Sequence, residues 1–155
     1  MSFQNQFTKT TTDANLMETV HHGSAEYPFR YYYENIALFD FKCIDWHWHS
    51  ELEFIYIESG NVVFDIGTVH FELNEGNGIM INSKILHRLQ SSSDAIIPNF
   101  LFQPSFIAPQ DSLIYKNYVS PVISSSLEYI IFQKDIAWQK KALEIIKTII
   151  AVQNT

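Results

Sequence analysis

Alternation of apolar and polar residues is clearest at Val62-Val63-Phe64-Asp65-Ile66 and again at Val69-His70-Phe71-Glu72-Leu73, with Gly67-Thr68 between them. A two-residue Gly-X link predicts a hairpin with a type II′ turn. In that register Ile66 faces Val69, Phe64 faces Phe71 and Val62 faces Leu73, three apolar pairs on one face of a sheet. Asp65 and His70 then meet on the opposite face, which makes His70 a surface partner of Asp65 rather than a ligand. Further turn signals fall at Ser59-Gly60-Asn61, at 74–78 and at 91–94. The pattern reads as strands from Tyr31 onward, with candidate segments at 39–41, 53–58, 79–82, 87–89 and 96–102. Strands at such short intervals predict a sandwich or barrel. Pro98 is expected at an edge or a bulge, because it cannot donate to a ladder.

After Pro109 the pattern changes. Asp111 is placed to cap a short helix through Tyr118 that stops near Pro121. Tyr129-Ile130-Ile131-Phe132 reads as one more strand. Asp135 is then placed to cap a helix reaching about Val152. Its apolar stripe comprises Trp138, Ala142, Ile145, Ile146, Ile149 and Ile150, opposite Lys140, Lys141, Glu144 and Lys147. Both core packing and contact with a second subunit remain open for that stripe. Residues 1–26, rich in Thr, Asn and Gln, read as a flexible arm that gains order when something docks on it. His21-His22 lies in this arm and reads as a solvated pair. The organisation is thus an arm (1–26), a barrel (27–108), and a closing strand with C-terminal helices (109–155).

At 155 residues the chain fits one domain with a sizeable core, and 46% apolar content with 12 Phe and 8 Tyr makes it globular. The net charge of -7, with ten scattered Lys and Arg, argues against direct binding of nucleic acid by this chain. The lone Cys43 has no internal partner and apolar neighbours, so it reads as a buried, inert thiol in a reducing compartment. The first twenty residues lack an apolar signal core, and no apolar run is long enough to span a bilayer. These features point to a cytoplasmic protein without membrane contact.

The candidate chemistry lies in His47-Trp48-His49, Glu53 and His87. Three imidazoles and a carboxylate suit zinc, nickel, iron or manganese. The same groups suit a polar ligand with no metal. On a strand His47 and His49 share a face, with Cα atoms roughly 6–7 Å apart, close enough for one ion. Glu53 has the same parity but lies roughly 13 Å beyond His49 on a straight strand. A shared site therefore requires the chain to bend around 50–52. His87 must arrive on a strand crossing beside this pair in a closed sheet. Trp46 and Trp48 have the opposite parity and are expected outside the pocket.

Position for position, His47, His49, Glu53 and Gly60 match the first motif of the cupin superfamily, and Gly76 and His87 fill the ends of the second. Asn77 and Ser83 replace the usual Asp and Pro of that second motif. The run Trp46 to Gly60, the run Gly76 to Arg88, Phe102-Gln103-Pro104-Ser105-Phe106, and His22-Gly23 with Tyr27-Pro28-Phe29 resemble the sensor domain of AraC-type transcription regulators. The resemblance covers roughly residues 22–152. It implies a mainly β fold, the cupin double-stranded β-helix or jelly-roll barrel, with C-terminal helices. It also implies a pocket for a small polar effector such as a sugar, held by His47, His49, Glu53 and His87, with one divalent metal as an alternative occupant of the same residues. Arg30 and Tyr32 are further candidates for the pocket. Helices joining two sensors imply a homodimer through the C-terminal helix. Regulators of this kind contact DNA through two helix-turn-helix units after the sensor. This chain ends where those would begin and lacks a basic recognition helix, so it is expected to be the sensor portion of a regulator and not an enzyme. A metal-dependent cupin enzyme, a dioxygenase or sugar isomerase, is the alternative.

Overall fold

A computed structural model of the chain describes residues 8–154. Among the described residues, nine strands form two antiparallel sheets. One holds β1 (Phe29–Tyr32), β8 (Asn99–Phe102), β3 (Leu52–Tyr56), β6 (Gly78–Ile81) and β9 (Tyr129–Phe132), in the order β1-β8-β3-β6-β9. The other holds β2 (Cys43–His47), β7 (His87–Gln90), β4 (Asn61–Ile66) and β5 (Val69–Asn74), in the order β2-β7-β4-β5. The fold class is as expected: mainly β, two sheets facing each other, with a C-terminal helix.

The two sheets read differently because they are buried differently. The four-stranded sheet is covered on one face, so its strands alternate cleanly. Val62, Phe64 and Ile66 are buried inward, while Asn61, His70 and Glu72 face out. The five-stranded sheet is buried on both faces, which explains the unbroken apolar runs Ile79-Met80-Ile81 and Phe100-Leu101-Phe102. Its inner side chains, such as Ile55, Ile79 and Ile81, join the barrel core. Its outer ones, Met80, Phe100 and Phe102, form a second core beneath helix α2 (Ala137–Gln153).

The β4–β5 hairpin has the expected register, including Ile66 opposite Val69 and Asp65 opposite His70. Gly67 has φ +56°, whereas Thr68 keeps a negative φ, the combination a type II′ turn requires. Other expectations need correction. Residues 39–41 are not a strand; short 3₁₀ turns occupy Ile36–Leu38 and Asp40–Lys42, and Phe41 takes φ +60°. Pro98 stands just before β8, which lies between β1 and β3. Its carbonyl accepts from Tyr56 N–H at 3.0 Å, so at the strand entry no donor is missed. The helical segment after Pro109 does not stop at Pro121. A wide π turn over Tyr115–Val119 runs into α1 (Ser120–Ile123), so the missing Pro121 N–H falls where helical bonding is already rearranged. Ser112, not Asp111, caps it, through Oγ to Tyr115 N–H at 3.2 Å. Asp135 does not cap α2, whose N-cap is Ile136; instead Gln139 Oε1 accepts from Gln133 N–H at 2.7 Å.

The stripe on α2 is divided. Ile146 and Ile150 are buried with Leu143 against the five-stranded sheet, whereas Trp138 and Ile145 are 59% and 63% exposed. An apolar groove lies between them, lined by Phe54, Phe100, Phe132, Ile145 and Ile149 among others. Among the described residues, no helix is long and apolar enough to cross a membrane.

Candidate metal and effector site

The four expected residues meet, three from different strands and one from the bend between the sheets. His47 ends β2 and stands opposite His87 on β7, their ring centroids 4.2 Å apart. Glu53 comes from β3 in the other sheet, where it pairs with Ile81 and Leu101. His49 lies in the bend between the sheets. All four residues are buried, and one ligating atom from each lies within 4.8 Å of all the others.

Two local devices aim the histidines. β2 carries an extra residue between Ile44 and His47, while β7 steps from Leu89 to His87. That bulge puts Ile44 and His47, three positions apart, on the same inner face. Simple alternation would have opposed them. The second device is the expected bend at 50–51, which turns the chain from β2 into β3. Ser83 holds it by donating to Ser50 O at 2.6 Å, and Lys84 N–H donates to His49 O at 2.7 Å. Gln103 adds donations to Ser50 Oγ at 2.8 Å and to Glu51 Oε1 at 2.7 Å. Ser83, where a proline was expected, is thus a working part of the turn.

Each histidine of the site has its Nδ1 on a backbone carbonyl. His47 bonds Asp45 O at 2.7 Å, His49 bonds Glu51 O at 3.0 Å, and His87 bonds Ile85 O at 2.8 Å. A carbonyl can only accept, so each Nδ1 donates its hydrogen. In the neutral ring Nε2 is then a bare lone pair. This is the orientation that metal-binding histidines take from their outer partners. The Nε2 atoms of His49 and His87 both lie 3.2 Å from Glu53 Oε1. Two lone pairs cannot face a carboxylate without a proton or a cation between them.

The titration of the site follows from this. Burial raises the Glu53 carboxyl, but its bonds to His49 and His87 outweigh that and hold it well below the usual range. Burial lowers His49, yet Glu53 overrides it and lifts the ring to about 9. His47 is not bonded to Glu53, and burial, with His87 beside it, drives it down to about 3 against the pull of Glu18. A divalent ion would replace the positive charge that His49 otherwise carries. The donor set therefore fits a metal: three oriented imidazole nitrogens and a carboxylate, with ligand atoms near enough for small adjustments to close bonds of about 2.0–2.2 Å. His47, His49, Glu53 and His87 would hold it.

The pocket around the four is lined by Glu18, Val20, His22, Tyr32, Glu34 and Asn99, among others. Most of these were not singled out from the sequence. His22 was read as solvated, but its side chain is 5% exposed, with Nδ1 2.7 Å from Tyr32 Oη. The missed signal is Glu18-x-Val20-x-His22, a period of two like that of a strand facing the barrel. Glu34 is buried and accepts from Asn99 Nδ2 at 2.8 Å; burial pushes its carboxyl up to about 7, against the pull of that bond. Of the two further candidates, Tyr32 lines the pocket and Arg30 does not; its guanidinium lies over the Tyr32 ring, 5.4 Å from the centroid. Trp46 and Trp48 lie outside the pocket. Arg88 stacks on Trp46, and Trp48 Nε1 donates to Asn15 O of the arm at 2.9 Å. Cys43 is half-buried rather than buried, its thiol pushed up by burial and by Asp45.

Residues 40–108 match the family model described as the AraC-like ligand binding domain. That segment contains all four converging residues. The chain is also similar, at 32% identity over 140 residues, to an uncharacterized HTH-type transcriptional regulator, YdeC, of Bacillus subtilis (strain 168). The match covers 88% of this chain and 47% of the regulator, so the chain spans about half the length of the curated relative it matches. Solved structures similar to the chain include a predicted oxalate decarboxylase from Thermotoga maritima, at 17% identity and a TM-score of 0.44, covering 66% of this chain and 99% of that one. A cupin-2 domain containing protein from Shewanella frigidimarina gives 14% identity and a TM-score of 0.42, covering 47% of this chain and 69% of that one.

Proposed function

We propose that this chain is the effector-sensing and dimerisation part of an AraC-type transcription regulator. It binds a small polar molecule such as a sugar in the barrel, at His47, His49, Glu53 and His87, through one divalent metal ion held by the same residues. Zinc, nickel, iron and manganese all suit the donors. The observation that carries this reading is the convergence of three carbonyl-anchored histidines on one buried carboxylate. A bound ion supplies a Lewis-acid centre to which hydroxyl or carboxylate oxygens of an effector can coordinate. Tyr32, Glu34 and Asn99 add hydrogen-bonding groups around it. The enclosed space is only about 50 Å³ with Glu18, Val20 and His22 in place, so a sugar-sized effector requires the arm to give way.

DNA contact falls to a separate helix-turn-helix part, consistent with the acidic charge of this chain and with the half-length match to YdeC. The protein works in the cytoplasm and performs no turnover. Titration calorimetry of the manganese- or zinc-loaded protein against a panel of sugars and polyols is expected to find a binder whose heat disappears in Glu53→Ala. Reproducible oxygenase or isomerase turnover, lost in the same variant, would establish the metal-dependent enzyme instead.

The homodimer forms through α2, on the groove beside Ile145 and Ile149. Sedimentation is expected to give a dimer that Ile145→Asp converts to a monomer. A wild-type monomer at high concentration overturns this part.

A further inference from the structure

We propose that Glu18, carried on the arm, is an additional protein ligand of the metal held by His47, His49, Glu53 and His87, so that the ion clamps the arm across the barrel mouth. This rests on the metal reading above and adds a residue to it. The arm is laid beside the His-x-His segment by backbone bonds. Trp48 N–H donates to Leu16 O at 3.0 Å, and Glu18 N–H donates to Trp48 O at 2.9 Å. Trp48 points outward between two inward histidines, and its parallel bridge to Met17 turns the next residue, Glu18, to the histidines' side. Glu18 Oε2 lies 3.6 Å from His47 Nε2. That nitrogen is the one of the three Nε2 atoms not within hydrogen-bond reach of Glu53.

A second observation points the same way. The other oxygen, Glu18 Oε1, lies 3.1 Å from His22 Nε2, yet that buried nitrogen makes no well-aligned hydrogen bond. With Nδ1 held by Tyr32 Oη, His22 stands as a buried imidazole edge aimed at the carboxylate and not satisfied by it. Glu18 is 13% exposed. Two carboxylates, Glu18 and Glu53, thus share a closed pocket with three oriented imidazoles, and a divalent cation at the four-residue site is the charge that balances both. An effector that coordinates the ion would compete with Glu18 for it, which joins occupancy of the barrel to release of the arm.

The test uses cobalt as probe, because its visible spectrum reports ligand number, together with amide hydrogen exchange across residues 11–22. In the wild-type protein, cobalt is expected to slow exchange of the arm amides at least tenfold. Glu18→Gln keeps the shape of the side chain, and its own metal-free exchange and spectrum serve as its baseline. With cobalt it should bind about 10-fold or more weakly, with an altered visible spectrum and no metal-dependent protection of the arm. Unchanged affinity and spectrum in Glu18→Gln overturn the proposal while leaving the four-residue metal site standing. Arm exchange that ignores cobalt in the wild type does the same. Failure of the wild type to bind cobalt at all removes the metal reading and this proposal together.

Discussion

Two histidine–carboxylate sets on this barrel differ in how far water reaches their histidines and in whether a guanidinium already answers the carboxylate. At the surface, His70 and Arg88 flank Asp65, with Arg88 Nη2 3.0 Å from Asp65 Oδ2. The His70 side chain is 69% exposed. In the interior, His49 and His87 flank Glu53 with side chains 4% and 1% exposed. The contacts are similar, yet the consequences are not. Water reaches the His70 ring and Arg88 already supplies a cation to Asp65, so the His70 contact contributes little beyond a local tether. Inside, the same contact requires a cation, because an unpaired buried carboxylate is costly. The comparison teaches that a histidine facing a carboxylate becomes a candidate metal site through enclosure and through the fixing of Nδ1, not through proximity.

Breaking each set should show the largest contrast in metal affinity. His49→Ala is expected to weaken zinc binding more than about 100-fold in a competition titration, exceeding the usual loss from an outer partner. His70→Ala should leave it within about twofold. Equal losses in the two variants would refute the contrast.

Glu34 sharpens the comparison, being a buried carboxylate with an amide donor and no cation against it. Its folded pKa is raised from 4.5 to about 7, so its cost is absent below about pH 4.5, grows as pH rises and is complete above 7. Glu34→Gln should therefore gain stability over wild type as pH rises, by as much as about 3 kcal/mol between pH 4 and pH 8 in urea denaturation. Asp65 has the opposite sign and a smaller size. Burial would raise its carboxyl, but His70 and Arg88 hold it below 3.8. Its stabilisation is present above that value and is lost as pH falls through the lower folded one. Asp65→Asn should cost about 0.5–1 kcal/mol at neutral pH and little at strongly acid pH. A pH-independent effect in either variant would contradict the assignment.

Much of this was legible in the sequence because it depends on local periodicity. The hairpin register, the inward parity of His47, His49 and Glu53, the bend at 50–52 and the outward tryptophans all follow from a repeat of two. The helix cap at Asp135 was misread because a side chain three residues into the helix, Gln139, satisfied a preceding donor instead. The stop at Pro121 was misread because a π turn absorbed the proline.

By itself the sequence determined which residue types could make a ligand set and that short strands would pack as a sandwich or barrel, since side-chain chemistry and alternation are local properties. Tertiary structure decided that the set closes. Only the pairing of β2 with β7 reveals the bulge that turns His47 inward, and only the fold brings Glu53 across from the opposite sheet. The arm shows the same division. Its period of two was written in Glu18, Val20 and His22, but a polar strand of this kind has no preferred place until a sheet edge offers backbone partners. Trp48 offers them beside the two histidines, and that placement, made by long-range hydrogen bonds, gives Glu18 its position over the site.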